Sequence, residues 1–509
     1  MNFLPALFFS TLSGFLIVLG FPKVELAYLL FFAFVPLLFV IDHLDIKKCF
    51  YFGTLTGFVV YLLGFSWMQF TLKEFGGFHT LTAFFVFVLF SLLSGSFFGF
   101  FGSLTKLLQK YVKLSFLILA PLVYTILEYS FPTLFPWHIG GGFYKHLIFI
   151  QFVDITGTYG LSFFIVFINV VFYEALKSYT HKSLFPWKAM TIAILLSFSL
   201  FLYGKSRIET VVKAHQNKKE LRLALLQTNV ANFEKSIESM SDLSIQEQVH
   251  QRNAHMAEQA VKSQPDLIVF PETSVPGSFN LNKNLQLRMF QLSAHLKTPL
   301  YFGGYADDSN EAAIYYNTAY LISENYKILG RYDKNYLLMF GEYMPFSSLF
   351  PSLKNLIKEV SNFTAGTLPK VFTFKGEKLG ALICYEDLIP SFVRKTVLEG
   401  ATFLLNLAND SWFGESACPY QHLALSVFRS IEHKLPLVRA TNTGVSSIIY
   451  PTGEIAFKSE LGEQSILYGG IRPPHLKTFY TQYGNVFVLV CGIFLFFIML
   501  WGFFFKHKL

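Results

Sequence analysis

Long apolar runs separated by short polar connections fill the first 204 residues and return once near the C-terminus. Seven of them lie near 3–21, 26–42, 51–70, 80–101, 114–131, 160–176 and 188–203, and an eighth near 485–505. Each is close to the roughly 20 residues that a helix needs to cross the hydrocarbon core of a bilayer. The pattern predicts an α-helical membrane bundle of about seven helices over 1–204 and one more membrane helix over 485–505. Between them, over 220–472, short β-rich runs at 221–227, 266–270, 299–305, 379–384, 402–407 and 445–449 alternate with helical stretches at 236–263, 283–297, 388–399 and 419–434. That alternation predicts an α/β domain, its strands covered by helices and its chemistry collected at strand ends.

Composition strengthens the membrane reading, because a 509-residue chain that is 53% hydrophobic, with 61 Phe, is too apolar for an ordinary soluble protein. Basic residues set its orientation. Lys47, Lys48, Lys106, Lys110, Lys113, Lys177, Lys182, Lys188, Lys506 and Lys508 fall on one side, against Lys23, Lys73 and Lys145 in the alternate short loops. The expectation is that both termini are cytoplasmic and the middle domain lies outside the cytoplasm. No basic stretch precedes the first run and no small-residue cleavage site precedes Lys23, so this run is expected to be an uncleaved anchor rather than a signal peptide. The net charge of +8 comes partly from the cytoplasmic lysines, which suit an anionic lipid surface, and gives little reason to expect a nucleic-acid partner. Cys49, Cys384, Cys418 and Cys491 have no metal-ligand spacing, and no disulfide framework is expected, although Cys384 and Cys418 could pair if the middle domain faces an oxidising compartment.

Three charged or nucleophilic residues stand at strand ends. Glu272 closes Leu-Ile-Val-Phe-Pro-Glu, Lys334 closes Arg-Tyr-Asp-Lys, and Cys384 closes Leu-Gly-Ala-Leu-Ile-Cys ahead of Tyr385, Glu386 and Asp387. A thiol with an ordinary pKa near about 8.5 needs a base to become a nucleophile at neutral pH, and Glu272 is the candidate base. Lys334 supplies a fixed positive charge for an oxyanion. Glu342 and Glu386 are expected to orient Lys334 and the substrate.

Pro-Glu-Thr at 271–273, Tyr-Asp-Lys-Asn-Tyr-Leu-Leu-Met-Phe-Gly-Glu at 332–342 and Leu-Ile-Cys-Tyr-Glu at 382–386 resemble the three catalytic motifs of the nitrilase superfamily. Downstream, Asn409-Asp-Ser-Trp-Phe-Gly414, Gln421-His422, Arg429, Ile431-Glu432 and Arg439-Ala-Thr-Asn-Thr-Gly444 resemble the apolipoprotein N-acyltransferase branch, as does the order of bundle, soluble domain and last helix. The resemblance implies an αββα sandwich with Glu272, Lys334 and Cys384 catalytic, and Tyr385, Trp412, Phe413 and Phe346 at the substrate. It implies ping-pong transfer of an acyl chain from a phospholipid, phosphatidylethanolamine foremost, through a Cys384 thioester to the terminal amine of a diacylated apolipoprotein. It further implies a bacterial inner-membrane location with a periplasmic catalytic domain, a monomer, and no metal or other cofactor. In one place the chain departs from the family pattern: Ser236 follows Lys235 where a Trp is common. The apolar segment 344–363, directly after the Lys motif, is expected to be an arm that dips towards the membrane and gates lipid entry.

Plainer roles compete for some of these residues. His422 and His433 lie in one helical stretch without metal spacing, which favours structural roles. Glu128, at the end of an apolar run, is a functional candidate because charge is costly in lipid, and Pro136, Trp137 and His138 follow it in a Gly-rich loop. A membrane-tethered amidase or nitrile hydrolase could use the same Glu, Lys, Cys set but would not need seven preceding spans. A transporter or receptor would leave that set unexplained.

Overall fold

The computed structural model describes residues 1–181, 184–216, 218–230, 243–308, 314–345, 347 and 363–505. They form two compact units, one of Met1–Gln69, His79–Glu209 and Thr478–Leu509, the other of Phe70–Phe78 and Thr210–Lys477. Nine residues from the N-terminal apolar half therefore fold with the central domain.

All eight apolar runs in the first unit are helical. Five of these helices are long and apolar enough to cross a membrane: Ile46–Gly64, Thr80–Val112, Thr158–Thr180, Trp187–Gln216 and Val486–Phe504. Three are shorter, Phe3–Leu19, Ala27–His43 and Phe116–Ser130, and a further short apolar segment, Leu147–Thr156, was not anticipated. Ile46–Gly64 packs on Thr80–Val112 through paired small residues, Gly53 and Gly57 against Gly95 and Gly99. A Cβ on Gly57 would lie 2.6 Å from Gly95 Cα, so the two backbones touch. Close approach of this kind is what holds helices together in lipid, where burying apolar side chains gains little.

Among the described residues the second unit holds twelve strands: β1 (Leu221–Gln227), β2 (Leu267–Val269), β3 (Leu300–Asp307), β4 (Tyr315–Ser323), β5 (Lys327–Asp333), β6 (Val371–Phe374), β7 (Glu377–Ile383), β8 (Phe403–Ala408), β9 (Leu437–Thr441), β10 (Ser447–Ile449), β11 (Ile455–Lys458) and β12 (Ser465–Ile471). They make two six-stranded sheets, ordered β12-β1-β2-β3-β4-β5 and β11-β10-β9-β8-β7-β6. In each sheet three strands run parallel, β1-β2-β3 and β7-β8-β9, and antiparallel strands flank them. The parallel strands are buried almost throughout, as strands covered on both faces must be. Helices Leu243–Ala260 and Lys283–Leu296 cover the first sheet through Met256, Ala257, Leu285, Met289 and Leu292. Pro390–Leu398 and Cys418–His433 pack on the second sheet, whose other face meets the first sheet, giving an αββα sandwich.

The six runs expected to be strands all contain one, a strand end was also expected at Lys334, where β5 ends, and five further strands among the described residues were not foreseen. β5, β11 and β12 are partly exposed and carry no continuous apolar run. The apolar stretch of β9 is interrupted by Arg439, which is wholly buried.

Candidate active site

The second unit turns several strand ends into a polar cluster. Glu272 lies three residues beyond β2, after Pro271. Its backbone runs so close to β3 that a Cβ on Gly303 would lie 2.7 Å from Glu272 Cα, and Thr273 beside it has φ +48°. Lys334 follows β5 directly, its N–H donating to the Asn317 carbonyl of β4 at 2.8 Å. Cys384 ends β7 and opens a turn of 3₁₀ helix, Cys384–Leu388, with φ +53°. A non-glycine residue holds that left-handed conformation only when its surroundings enforce it. Here Asn406 Nδ2, from β8, donates to the Cys384 carbonyl at 3.0 Å, and Glu386 accepts the Ile383 N–H at 2.7 Å.

These placements bring Glu272, Lys334, Cys384 and Glu342 together, each less than a tenth exposed. Lys334 Nζ lies 2.8 Å from Glu342 Oε2 and 3.4 Å from Glu272 Oε1. The Cys384 thiol lies within hydrogen-bonding reach of Glu272. Burial raises the Glu272 pKa; Lys334 pulls it down again, Glu342 pushes it further up, and it stays above the ordinary carboxylate value. Burial works to lower the Lys334 pKa, but Glu342 and Glu272 together hold it above normal, so the ammonium stays charged. Burial and then the Glu272 charge push the Cys384 thiol well up, against a smaller pull from Lys334. A free-standing thiolate is therefore disfavoured, and the geometry suits proton transfer to Glu272 as the sulfur attacks.

Glu386 braces the backbone on both sides of the cluster. Its carboxylate accepts from the Tyr332 hydroxyl at 2.7 Å and from the N–H groups of Asn335, Tyr336 and Ile383 at 2.7, 3.0 and 2.7 Å. It ties the Lys334 loop to the Cys384 turn. Burial lifts its pKa to about 7, against the lowering effect of those hydrogen bonds. Of the residues expected at the substrate, Tyr385 is half-buried and Phe413 buried. Trp412 is half-buried, its ring 4.6 Å from Phe75 and its carbonyl accepting from Thr71 Oγ1 at 2.9 Å. Phe346, Lys235, Ser236 and nearly all of the 344–363 arm lie outside the described residues.

Two groups escaped the sequence reading. Asn317, in mid-strand, donates through one amide nitrogen to Glu272 Oε1 at 2.7 Å and to Glu342 Oε1 at 2.8 Å, bridging two carboxylates that would otherwise repel each other. Behind Cys384, Asp387 accepts from His422 Nε2 at 2.7 Å, from Ser426 Oγ at 2.8 Å and from Arg439, while His422 Nδ1 reaches Asp410 at 3.1 Å. Burial works to raise the Asp387 pKa, but Arg439 and His422 drive it far below the ordinary range. Burial and Arg439 lower the His422 pKa, yet Asp387 and Asp410 outweigh them and hold it raised. Burial, Arg429 and Arg394 push the His433 pKa down to about 3. The Asp following Cys-Tyr-Glu was the available clue to this network, since a carboxylate so deep in an apolar stretch needs partners. All four cysteines are free, and among the described residues no cluster of three or more His, Cys, Asp or Glu is placed to hold a metal.

Residues 222–479 match the family model of the carbon-nitrogen hydrolases, and residues 13–171 that of the apolipoprotein N-acyltransferase N-terminal domain. The paired sheets with this match define an enzyme of the nitrilase superfamily preceded by an apolar helical region. An apolipoprotein N-acyltransferase of Geobacter metallireducens is 33% identical over 494 residues, 95% of this chain and 92% of that one. One from Bdellovibrio bacteriovorus is 32% identical over 91% of this chain and 88% of its own, and one from Aquifex aeolicus 29% identical over 90% and 96%. The chain belongs to the apolipoprotein N-acyltransferase family and is an acyltransferase. Among solved structures, an amidase from Nesterenkonia sp. is similar at 20% identity and TM-score 0.40, covering 53% of this chain and 94% of that one.

Proposed function

We propose that the chain transfers a fatty-acyl group from a phospholipid, phosphatidylethanolamine foremost, through a thioester on Cys384 to the free α-amine of a diacylglyceryl-cysteine at the N-terminus of an apolipoprotein. The observation that carries the reading is the enclosure of Cys384 with Glu272 and Lys334, in a chain similar over 95% of its length to an enzyme named for acting on apolipoproteins.

In the first half-reaction Glu272 takes the thiol proton as sulfur attacks the donor ester carbonyl. Lys334 has three N–H donors; two face Glu342 and Glu272, and the third is available for the oxyanion. An oxyanion donor of this kind contributes about 3 kcal/mol. Collapse expels the lysophospholipid alkoxide, which takes the proton back from Glu272. The acceptor amine then attacks the thioester, its proton passes to Glu272, and the sulfur leaves as the thiol. Glu342 and Asn317 keep Lys334 and Glu272 in place. Tyr385, Trp412 and Phe413 are assigned to the lipid substrates, as are Phe346 and the gating arm 344–363. The apolar helices hold the enzyme where both lipid substrates reside, and the lysine asymmetry supports cytoplasmic termini in a bacterial inner membrane with the catalytic domain periplasmic.

The test is peptide mass spectrometry of the purified protein and of Cys384→Ser after incubation with phosphatidylethanolamine, then with a diacylated lipopeptide. A hydroxylamine-labile acyl adduct on Cys384 that discharges onto the lipopeptide is expected, with none on the Ser variant under the same treatment. Discharge to water alone would make the enzyme a hydrolase, and the absence of any adduct on folded protein would remove the nucleophile.

A further inference from the structure

The first unit contains a polar site that the acyl-transfer chemistry does not use. Glu128, near the end of helix Phe116–Ser130, has a side chain only 4% exposed. Its Oε1 accepts from the Ile139 N–H and from Ser162 Oγ, both at 3.0 Å, which ties it to the loop after Trp137 and to helix Thr158–His181. Its Oε2 faces His138 Nδ1 at 3.6 Å, too far for a hydrogen bond. Among the described residues Glu128 Oε2, both ring nitrogens of His138 and the indole nitrogen of Trp137 are buried with no hydrogen-bond partner. The phenols of Tyr61 and Tyr124 lie within electrostatic reach of Glu128, and the rings of Tyr159 and Phe21 pack on His138 and Trp137.

An enclosed, unpartnered carboxylate oxygen 3.6 Å from an unpartnered imidazole nitrogen, with aromatic rings packed on the neighbouring side chains, has the chemistry of an ammonium site in which one N–H-rich group is shared by both atoms. We propose that Glu128 and His138 form a subsite for a lipid-borne primary ammonium. Glu128 Oε2 accepts one N–H of the ligand and His138 Nδ1 another, which places the imidazole proton on Nε2. Building on the acyl-transfer reading, two ligands carry that group: the ethanolamine headgroup of the donor and the free α-amine of the diacylglyceryl-peptide acceptor.

The experiment is native mass spectrometry of the full-length Cys384→Ser chain in phosphatidylglycerol nanodiscs, where binding is read without turnover. Phosphatidylethanolamine is compared with its mono-, di- and trimethylated headgroups, and a diacylated lipopeptide with its N-acetylated form. Loss of N–H groups is expected to weaken retention in steps, by about tenfold from ethanolamine to choline, and Glu128→Gln, which keeps both Oε1 hydrogen bonds, should erase the preference. A Glu128-dependent preference seen only with the phospholipids assigns the subsite to the donor; one seen only with the free-amine lipopeptide assigns it to the acceptor. Equal retention across both series in the unsubstituted site, or a preference that persists in a folded Glu128→Gln chain, overturns the proposal. If the subsite discriminates but the chain with Cys384 restored transfers no acyl group, the acyl-transfer reading fails and the subsite stands.

Discussion

Asn317 illustrates how much of this site depends on a residue that does no chemistry. Its amide nitrogen, like the Lys334 ammonium, is shared by Glu272 and Glu342, and replacing it with Ala leaves two buried carboxylates facing a single lysine. Asn317→Ala should cost about 1–3 kcal/mol of stability and slow acylation of Cys384, whereas Asn317→Asp, adding a third carboxylate, should be worse on both counts; urea unfolding and single-turnover acylation report the two effects separately. Because the Glu272 pKa is raised, acylation should fall as pH drops through that raised value and the base becomes protonated. Lys334, held above its ordinary value, should contribute no alkaline loss below about pH 10. A single-turnover pH profile checks both limbs. The buried network behind Cys384 links stability to pH with two opposite signs. His422 has a raised pKa, so its contribution is complete below the ordinary value of about 6.5 and fades as pH rises through the folded value. Asp387 has a lowered pKa, so its contribution is complete above about 3.8 and fades as pH falls towards the folded value. His422→Gln should therefore destabilise most at acid-to-neutral pH, by up to about 3–5 kcal/mol, with the gap narrowing in alkali; denaturation at a series of pH values measures it.

The strand-end positions of Glu272 and Cys384 were legible because each follows an extended apolar stretch, and that of Lys334 because it closes Arg-Tyr-Asp-Lys after the segment 326–332. Asn317 was not, since Tyr-Tyr-Asn-Thr-Ala reads as unremarkable alternation and its importance exists only once β4 lies beside the Lys334 loop. Glu386 was legible as a residue of consequence, but its backbone-bracing geometry depends on a loop 50 residues away in the chain.

At the scale of elements, hydrophobic pattern located the helices of the first unit well and their ends less well. Helix Trp187–Gln216 continues past the apolar run through Lys205, Arg207 and Glu209, because backbone hydrogen bonding does not stop where hydropathy does. Arg207 Nε finds Asp154 at 2.6 Å there, and Tyr203 donates to the same carboxylate at 2.7 Å. The buried parallel strands were the readable ones, since strands covered on both faces become continuous apolar runs, while half-exposed β5, β11 and β12 leave no such trace. The glycine contact between Ile46–Gly64 and Thr80–Val112 gives a sharp expectation. Gly57→Leu cannot be absorbed by a rotamer change, because the obstruction is the Gly95 backbone itself. The pair should separate, with a lower melting temperature in detergent, while Gly492→Leu, on the last helix where a Cβ meets nothing within 4 Å, should change little.

At the scale of the whole molecule, the chain visits its catalytic unit twice. The segment Phe70–Phe78 supplies Thr71 and Phe75 to Trp412, and a Cβ on Gly414 would meet the Phe70 ring at 2.9 Å. Nothing in the sequence of 70–78 announces this, because its few aromatic residues look like the edge of the neighbouring apolar runs. Phe75→Ala should loosen the 411–417 turn by about 1 kcal/mol, seen as faster protease cleavage within it by peptide mass spectrometry. The double visit also sets a timetable for biosynthesis. Thr71 and Trp412 are 341 residues apart, so at 5–20 residues per second a ribosome makes the second partner tens of seconds after the first. The segment must wait for this partner while later helices and eight of the twelve described strands are made, so the Trp412 turn cannot close on it until well into synthesis of the second unit.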